Sequence, residues 1–558
     1  MQNVPTPQTP LRSNPRACNK SLSAAAFTLA MATSCVGMAQ TQPTAATLTP
    51  EQINAQWVAA VAPFAPERSK LIDLVRTTTA AGPFRPDWSS LSAATVPAWY
   101  RDAKFGIFIH WGVFSVPAFG SEWYSRNMYQ QGDPDFAHHT ATFGPQSTFG
   151  YKDFIPKFRM EHFDPAAWAA LFRKSGARYV VPVAEHHDGF ALYNTSLSEW
   201  SAAKMGPKRD LYGDLAVAIR HEGMYLGASS HRAEHDWFFD GGRHFASDVN
   251  DPKYASLYGP AELRNLESDD DAALSKDFTF VSTEFREDWL ARTAEIVQRY
   301  HPDLLYFDWW VGQPDFRETE RKFAAFFYDD AAQHHRQVVM NYKFNNMSDH
   351  AGVLDVERGE LPGIRAEPWQ TDISLSNASW GYIDGDTYKQ PKELIHELID
   401  VVSKNGNLLL NIGPKSDGTI PEAAQQTLLA IGSWLDTNGE AIYATRPWTK
   451  YGEGPTELAS GSFQDKVEKP FTPEDFRFTT GNSSANKGIL YAIELGWPTS
   501  GESVIHSIPE GKIAVEDVSL LGYAGKLNWQ QRSDGLHIVL PSSPVGKYAY
   551  SFRIRWKG

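Results

Sequence analysis

Residues 283–308 read TEFREDWLARTAEIVQRYHPDLLYFD, and the fold turns on them. Over residues 283–300 apolar side chains recur at helical spacing among charged ones, which predicts a long amphipathic helix. Residues 304–307 (LLYF) are a short apolar run of the kind that forms a buried strand. The run ends on a charge, Asp308, which Trp309 and Trp310 follow.

The same alternation continues in both directions. Upstream, strands are predicted at residues 105–111 (FGIFIHW), 178–183 and 224–229. A helix over residues 164–174 opens on Asp164-Pro165, and another covers residues 215–221. Downstream, helices at 318–336, 392–404 and 421–438 alternate with strands at 338–341 and 407–412. Short apolar strands alternating with helices make parallel βαβ units. Seven or so such units predict an α/β fold, a (β/α)8-like barrel rather than an open sheet. No glycine fingerprint for a dinucleotide or a P-loop follows any of these strands. Residues 352–369, where the sixth strand belongs, show no readable element. Past Trp448 the helical period disappears, and short runs at 488–495, 511–521, 536–540 and 548–556 predict an antiparallel β-sandwich. The domain plan is a signal peptide (1–39), a linker and helical extension (40–98), the barrel (99–448) and the sandwich (449–558).

The formal net charge of −14 argues against nucleic acid or an anionic membrane surface as a partner, since both need a basic patch. The 18 Trp and 22 Tyr lean toward a carbohydrate ligand, because flat aromatic faces stack on sugar C–H surfaces. Arg12, Arg16 and Lys20 precede an apolar run at 22–31 that is too short to span a bilayer. Small residues around Met38-Ala39 follow, so export to the periplasm or the exterior is expected, with lipoprotein processing at Cys35 as the alternative. Cys18 and Cys35, the only cysteines, fall within this segment, which leaves the mature chain no disulfide or thiolate metal site. A homo-oligomer stays open.

In a barrel of this type, functional groups stand at the C-terminal ends of the strands. The polar residues that follow apolar strands are His110, Glu185 to Asp188, Ser229 to His235, Asp308, Asn341, Lys343 and Asn411. Many carboxylates and histidines without a thiol suit a hydrolase. Two readings compete at Asp308: a reactive group facing a cleft, and a structural acid that caps a loop or bonds a barrel arginine. Two metal readings are open as well. His231-Arg232-Ala233-Glu234-His235 matches the H-x-x-E-H pattern of inverted zinc peptidases, which requires both histidines on one helical face. His110, His186 and His187 suggest a barrel metal centre, but the first strand lacks the H-x-H such a centre uses.

Residues 99–112 (WYRDAKFGIFIHWG) resemble the opening strand of the α-L-fucosidases of glycoside hydrolase family 29. In the same order follow residues 121–124 (SEWY), 186–190 (HHDGF), the strand ending at Asp308, 379–382 (SWGY), and 401–443 with NGNLLLNIGPKSDGTIP and NGEAIY. The resemblance covers roughly residues 98–448 and implies a barrel with a C-terminal sandwich. It implies exo-acting, retaining hydrolysis of terminal α-L-fucose from glycans or glycoconjugates, without cofactor or metal. Asp308 falls on the nucleophile and Glu357, in LDVERG (354–359), on the acid/base, with Glu360 and Glu367 as rivals. His110, Glu122, Trp123, His186, His187, Tyr306, Lys343 and Trp380 fall on sugar-binding positions.

The chain departs from the family pattern at four places. Glu185 stands for a lysine, ASSHR (228–232) for a tyrosine-rich block, Lys343 for an arginine, and Trp369-Gln370 for Trp-Glu. Arg232 or His231 is expected to restore lost sugar contacts. These departures keep open an exo-glycosidase for another L-galacto-configured sugar, and a fucose-binding protein without activity.

Overall fold

Eight parallel strands close into a barrel in the order β1 to β8: Phe105–Ile109, Tyr179–Glu185, Tyr225–Ser230, Leu304–Phe307, Val339–Lys343, Val353–Asp355, Trp369–Ser374 and Gly406–Ile412. The computed structural model describes residues 48–265, 277–348, 350–464, 470–484 and 486–557. The expected signal peptide, with Cys18 and Cys35, lies outside them. Among the described residues no helix is long and apolar enough to cross a membrane.

Eight of the helices are α1 (Pro50–Val61), α2 (Ala65–Ala81), α3 (Pro165–Lys174), α4 (Leu211–His221), α5 (Thr283–Tyr300), α6 (Arg317–Gln333), α7 (Pro391–Ser403) and α8 (Glu422–Asn438). The opening motif folds as its pattern predicts. Ser282 caps α5 by accepting from the Phe285 N–H, and His301 ends it in the left-handed conformation. Part of its polar side does not meet water, however. Asp288, Arg292 and Glu295 are buried, where α2 lies along α5 and where Thr195 and Ser196 donate to Glu295.

Among the described residues the barrel has six strand–helix units, against the seven or so expected. Among the described residues no helix joins β5 to β6 or β6 to β7. This explains the unreadable stretch at 352–369. A three-residue strand followed by an irregular loop carries neither a period of two nor one of 3.6.

Beyond the barrel, β13 (Ala514–Leu520), β16 (Tyr550–Lys557), β11 (Ile489–Glu494), β10 (Phe476–Gly481) and β9 (Thr445–Glu453) form one antiparallel sheet. A second sheet is β12 (Glu502–Ile505), β15 (Gly535–Val539) and β14 (Asn528–Arg532). Phe476, Leu490, Phe552 and Ile554 of the first sheet and Ile505, Leu536 and Ile538 of the second share one apolar core, which makes the pair a sandwich.

Candidate active site

Register alone assembles the site. In parallel pairing Ser229 stands beside Tyr306 and Tyr306 beside Asn341. Two residues further along, on the same inward face, come His231, Asp308 and Lys343. Lys343 in turn pairs with Asp355, two residues before Glu357. The strand ends surround a cavity of about 480 Å³ that takes in His110, Glu122, Trp123, His186, His187, Tyr306, Asp308, Lys343, Glu357 and Trp380. All ten site residues named from the sequence therefore meet in one place.

Lys343 is the hub. Its ammonium lies 3.2 Å from Asp308 Oδ1 and 3.9 Å from Asp372 Oδ2, and pairs directly with Glu357 Oε2. Asp308 also accepts from the Trp309 N–H at 2.9 Å, and its Oδ2 lies 3.1 Å from His231 Nδ1. Burial raises the Asp308 carboxyl, but Lys343, then the hydrogen bond and charge of His231, outweigh it and hold the group well below the usual carboxylate range. Glu357 goes the other way. Burial pushes it up to about 8 against the pull of Lys343, and the negative charges of Asp372 and Asp308 add to the rise. One carboxyl is held ionised and its neighbour protonated near neutral pH, the division of labour that acid–base chemistry needs.

The walls are imidazole and indole. Burial is the main cause that drives His110 and His186 well below the usual histidine range and brings His187 down to about 4, so these rings are neutral at pH 7. The ring of His110 is set by Asn411, 2.7 Å from its Nδ1. Adjacent strand residues point to opposite faces, yet His186 and His187 both reach the cavity because they lie just past the end of β2. Glu122 accepts from the Ser379 hydroxyl and the Trp380 N–H at 2.9 and 2.8 Å, tying two loops together.

Comparison with known proteins gives the family. Residues 72–440 match the Alpha-L-fucosidase family profile, and residues 469–555 match the Alpha-L-fucosidase C-terminal domain. Tissue alpha-L-fucosidase of Rattus norvegicus is 32% identical over 473 residues, covering 83% of this chain and 90% of that protein. Plasma alpha-L-fucosidase of Homo sapiens is 33% identical over 470 residues, covering 83% and 89%. The crystal structure of Thermotoga maritima alpha-fucosidase superposes with a TM-score of 0.66 at 29% identity, covering 84% of this chain and all of that one. The chain belongs to the α-L-fucosidase family. It is thus a glycoside hydrolase.

Within the fucosidase barrel, the four departures sort into two kinds. Lys343 and His231 face the cavity, whereas Glu185, Arg232, Trp369 and Gln370 do not. Trp369 donates to the Lys404 carbonyl, and Gln370 bonds Tyr100, Tyr179 and Asp355 in the barrel interior. Arg232 was expected to contact sugar, and the structure corrects this. Its guanidinium is buried between Glu185 (2.6 Å) and Asp288 (2.6 Å); Arg292 bonds both acids and Arg68 bonds Asp288. The acid that replaces a lysine and the arginine that replaces part of the tyrosine block are partners. Arg232→Ala leaves Glu185 buried with less compensation and should cost about 3–5 kcal/mol of stability. Urea unfolding measures this. Fucose affinity, taken where the variant is folded, should match the wild type; an affinity loss without a stability loss would return Arg232 to the sugar.

The zinc-peptidase reading fails on geometry. Residues Arg232–Asp236 form a 3-10 turn, and His235 Nδ1 turns away to the His187 carbonyl, 2.8 Å distant. Two other groups, His110/His186/His231 and His187/His231/Asp308, bring ligand atoms within 4.8 Å of one another. Both nitrogens of His231 are already engaged, Nδ1 with Asp308 and Nε2 with Ser229 Oγ at 2.7 Å.

Sequence reasoning missed Asp372, Arg264, Arg358 and Phe463, all of which line the cavity. Asp372 sits on β7 and accepts from the Tyr306 hydroxyl at 2.8 Å. It could have been found as a charge inside an otherwise strand-like run, had β7 been recognised.

Proposed function

We infer that this α-L-fucosidase removes terminal fucose by a retaining double displacement, with Asp308 as nucleophile and Glu357 as acid/base. The observation that carries this is the single ammonium of Lys343 touching both carboxylates. It holds their nearest oxygens within two ion-pair contacts, close to the roughly 5–5.5 Å of retaining pairs and too near to admit the water of an inverting one. Glu367 is half-buried, 3.5 Å from His350, and Glu360 is bonded to Lys404 at 3.0 Å; neither lines the cavity.

In the first step an Asp308 oxygen bonds to C1 as the C1–O bond to the leaving group breaks. The Glu357 proton passes to the departing oxygen. In the second step Glu357, now a carboxylate, takes a proton from water. The water oxygen bonds to C1, and the ester to Asp308 breaks. Neutral imidazoles can donate to or accept from sugar hydroxyls, and the buried His186 Nδ1 has no partner among the described residues. Trp123 and Trp380 offer apolar faces to the C6 methyl side. Exo action fits a cavity whose inner wall is Phe108 and Tyr306, both buried. Thermotoga maritima alpha-fucosidase has been solved with fucose and with a mechanism-based inhibitor, which accords with this reading. The basic and apolar pattern of residues 1–39 supports export.

Early proton NMR of an aryl α-L-fucoside digest tests the mechanism. The first-formed sugar should be α-L-fucose, which mutarotates later. β-L-fucose as the first product would overturn it.

A further inference from the structure

Phe463 does not belong to the barrel, yet it lines the catalytic cavity. It lies between β9 and β10, in a segment that runs back to the loop bearing Glu357. The two meet at an antiparallel bridge between Glu360 and Gly461. The Gly461 N–H donates to the Glu360 carbonyl at 2.8 Å, the Phe463 N–H to the Glu357 carbonyl at 2.9 Å, and the Gln464 N–H to the Arg358 carbonyl at 2.9 Å. Gly359 permits this approach, since a Cβ there would lie 1.9 Å from the Gly461 carbonyl oxygen. Phe463 has φ +59°, a left-handed conformation that a bulky residue rarely adopts without being held in it. Phe463 is 50% exposed, whereas Asp308 in the same cavity is buried. The ring therefore stands at the mouth.

We propose that Phe463 forms the subsite for the sugar from which fucose is cut, stacking on the apolar C–H face of a pyranose. The inference rests on Glu357 as acid/base. The proton donor must face the leaving oxygen, so the leaving sugar lies against the Glu357 loop, and the Phe463 backbone is bonded to that loop at Glu357 itself. A lone exposed aromatic is ordinary. One pinned beside the proton donor, in a strained conformation and by backbone hydrogen bonds to the Glu357 loop, has a position the leaving group must pass.

The test compares two substrates on wild type, F463A and F463W. One is the best cleaved of a set of α-L-fucosyl pyranose disaccharides, and the other is α-L-fucosyl fluoride, which has no leaving sugar. For F463A, kcat/KM on the disaccharide should fall about tenfold, mainly through KM, and several-fold less on the fluoride. F463W should restore the disaccharide, and the alkaline limb of the pH profile should stay in place. Equal losses on both substrates, or a moved alkaline limb, would mean that Phe463 merely supports the Glu357 loop and would overturn the subsite. An undiminished disaccharide rate in F463A would overturn it too. A wild type inert on both substrates would instead bring down the catalytic reading, and the subsite with it.

Discussion

Asp308→Asn should abolish turnover of an aryl α-L-fucoside, with kcat falling on the order of 10⁴-fold or more while the protein stays folded. The amide keeps the shape of the side chain but has no charge with which to attack C1. The wild-type carboxylate is well prepared for that attack. Lys343, His231 and the Trp309 N–H keep it ionised despite its burial. Folding survives because Lys343 retains Glu357 and Asp372, so no buried charge is stranded. Asp308→Gly carries the stronger version of the test. With the carboxylate gone there is room for an external anion, and azide should restore turnover of an activated aryl fucoside. Attack then comes directly from the nucleophile's face, so the product is β-L-fucosyl azide. Wild-type-like turnover in D308N, or an α-azide from D308G, would show that another group attacks.

Asp308 was legible from sequence because the physics there is local. A charge at the end of an apolar run must face something that compensates its desolvation. The barrel was legible for the same reason, since most of its strands and helices carry their period within a few residues. The failures are non-local. β6 is three residues long and its loop has no period, so Asp355, Glu357 and Asp372 could be ordered along the chain but not placed in space. Glu185 and Arg232 were both noted as departures, but only barrel closure, with α2 lying along α5, makes them partners. Phe463 was invisible because its role depends on a loop between β9 and β10 reaching back to the barrel, and nothing near it in sequence announces that contact. What the residue pattern conveyed least well was which side chains turn toward the cavity and which turn away.

Glu357→Ala should divide substrates by leaving group, and this division separates an acid/base from a residue that merely shapes the site. A sugar leaves as a poor alkoxide and needs the proton, so kcat/KM on a fucosylated disaccharide should drop by about 10²–10⁴. An aryl fucoside with an acidic phenol needs no proton and should lose far less in the first step. Its fucosyl-enzyme then accumulates, because no base activates water. Azide, which needs no base, should relieve this block and give α-L-fucosyl azide, the opposite anomer from the D308G product. The pH profile follows from the same charges. Glu357 must be protonated to act as acid, so wild-type kcat/KM should fall as pH rises through about 8. Asp308 must be ionised, and its position well below the usual range should extend activity far to the acid side. In E357A the alkaline limb near 8 should vanish for the activated aryl substrate. The assignment would fail if the limb persisted there, or if azide rescued E360A or E367A in place of E357A. The structure argues against both rivals, because Glu360 is tied to Lys404 and Glu367 lies outside the cavity beside His350, whereas Glu357 shares Lys343 with Asp308.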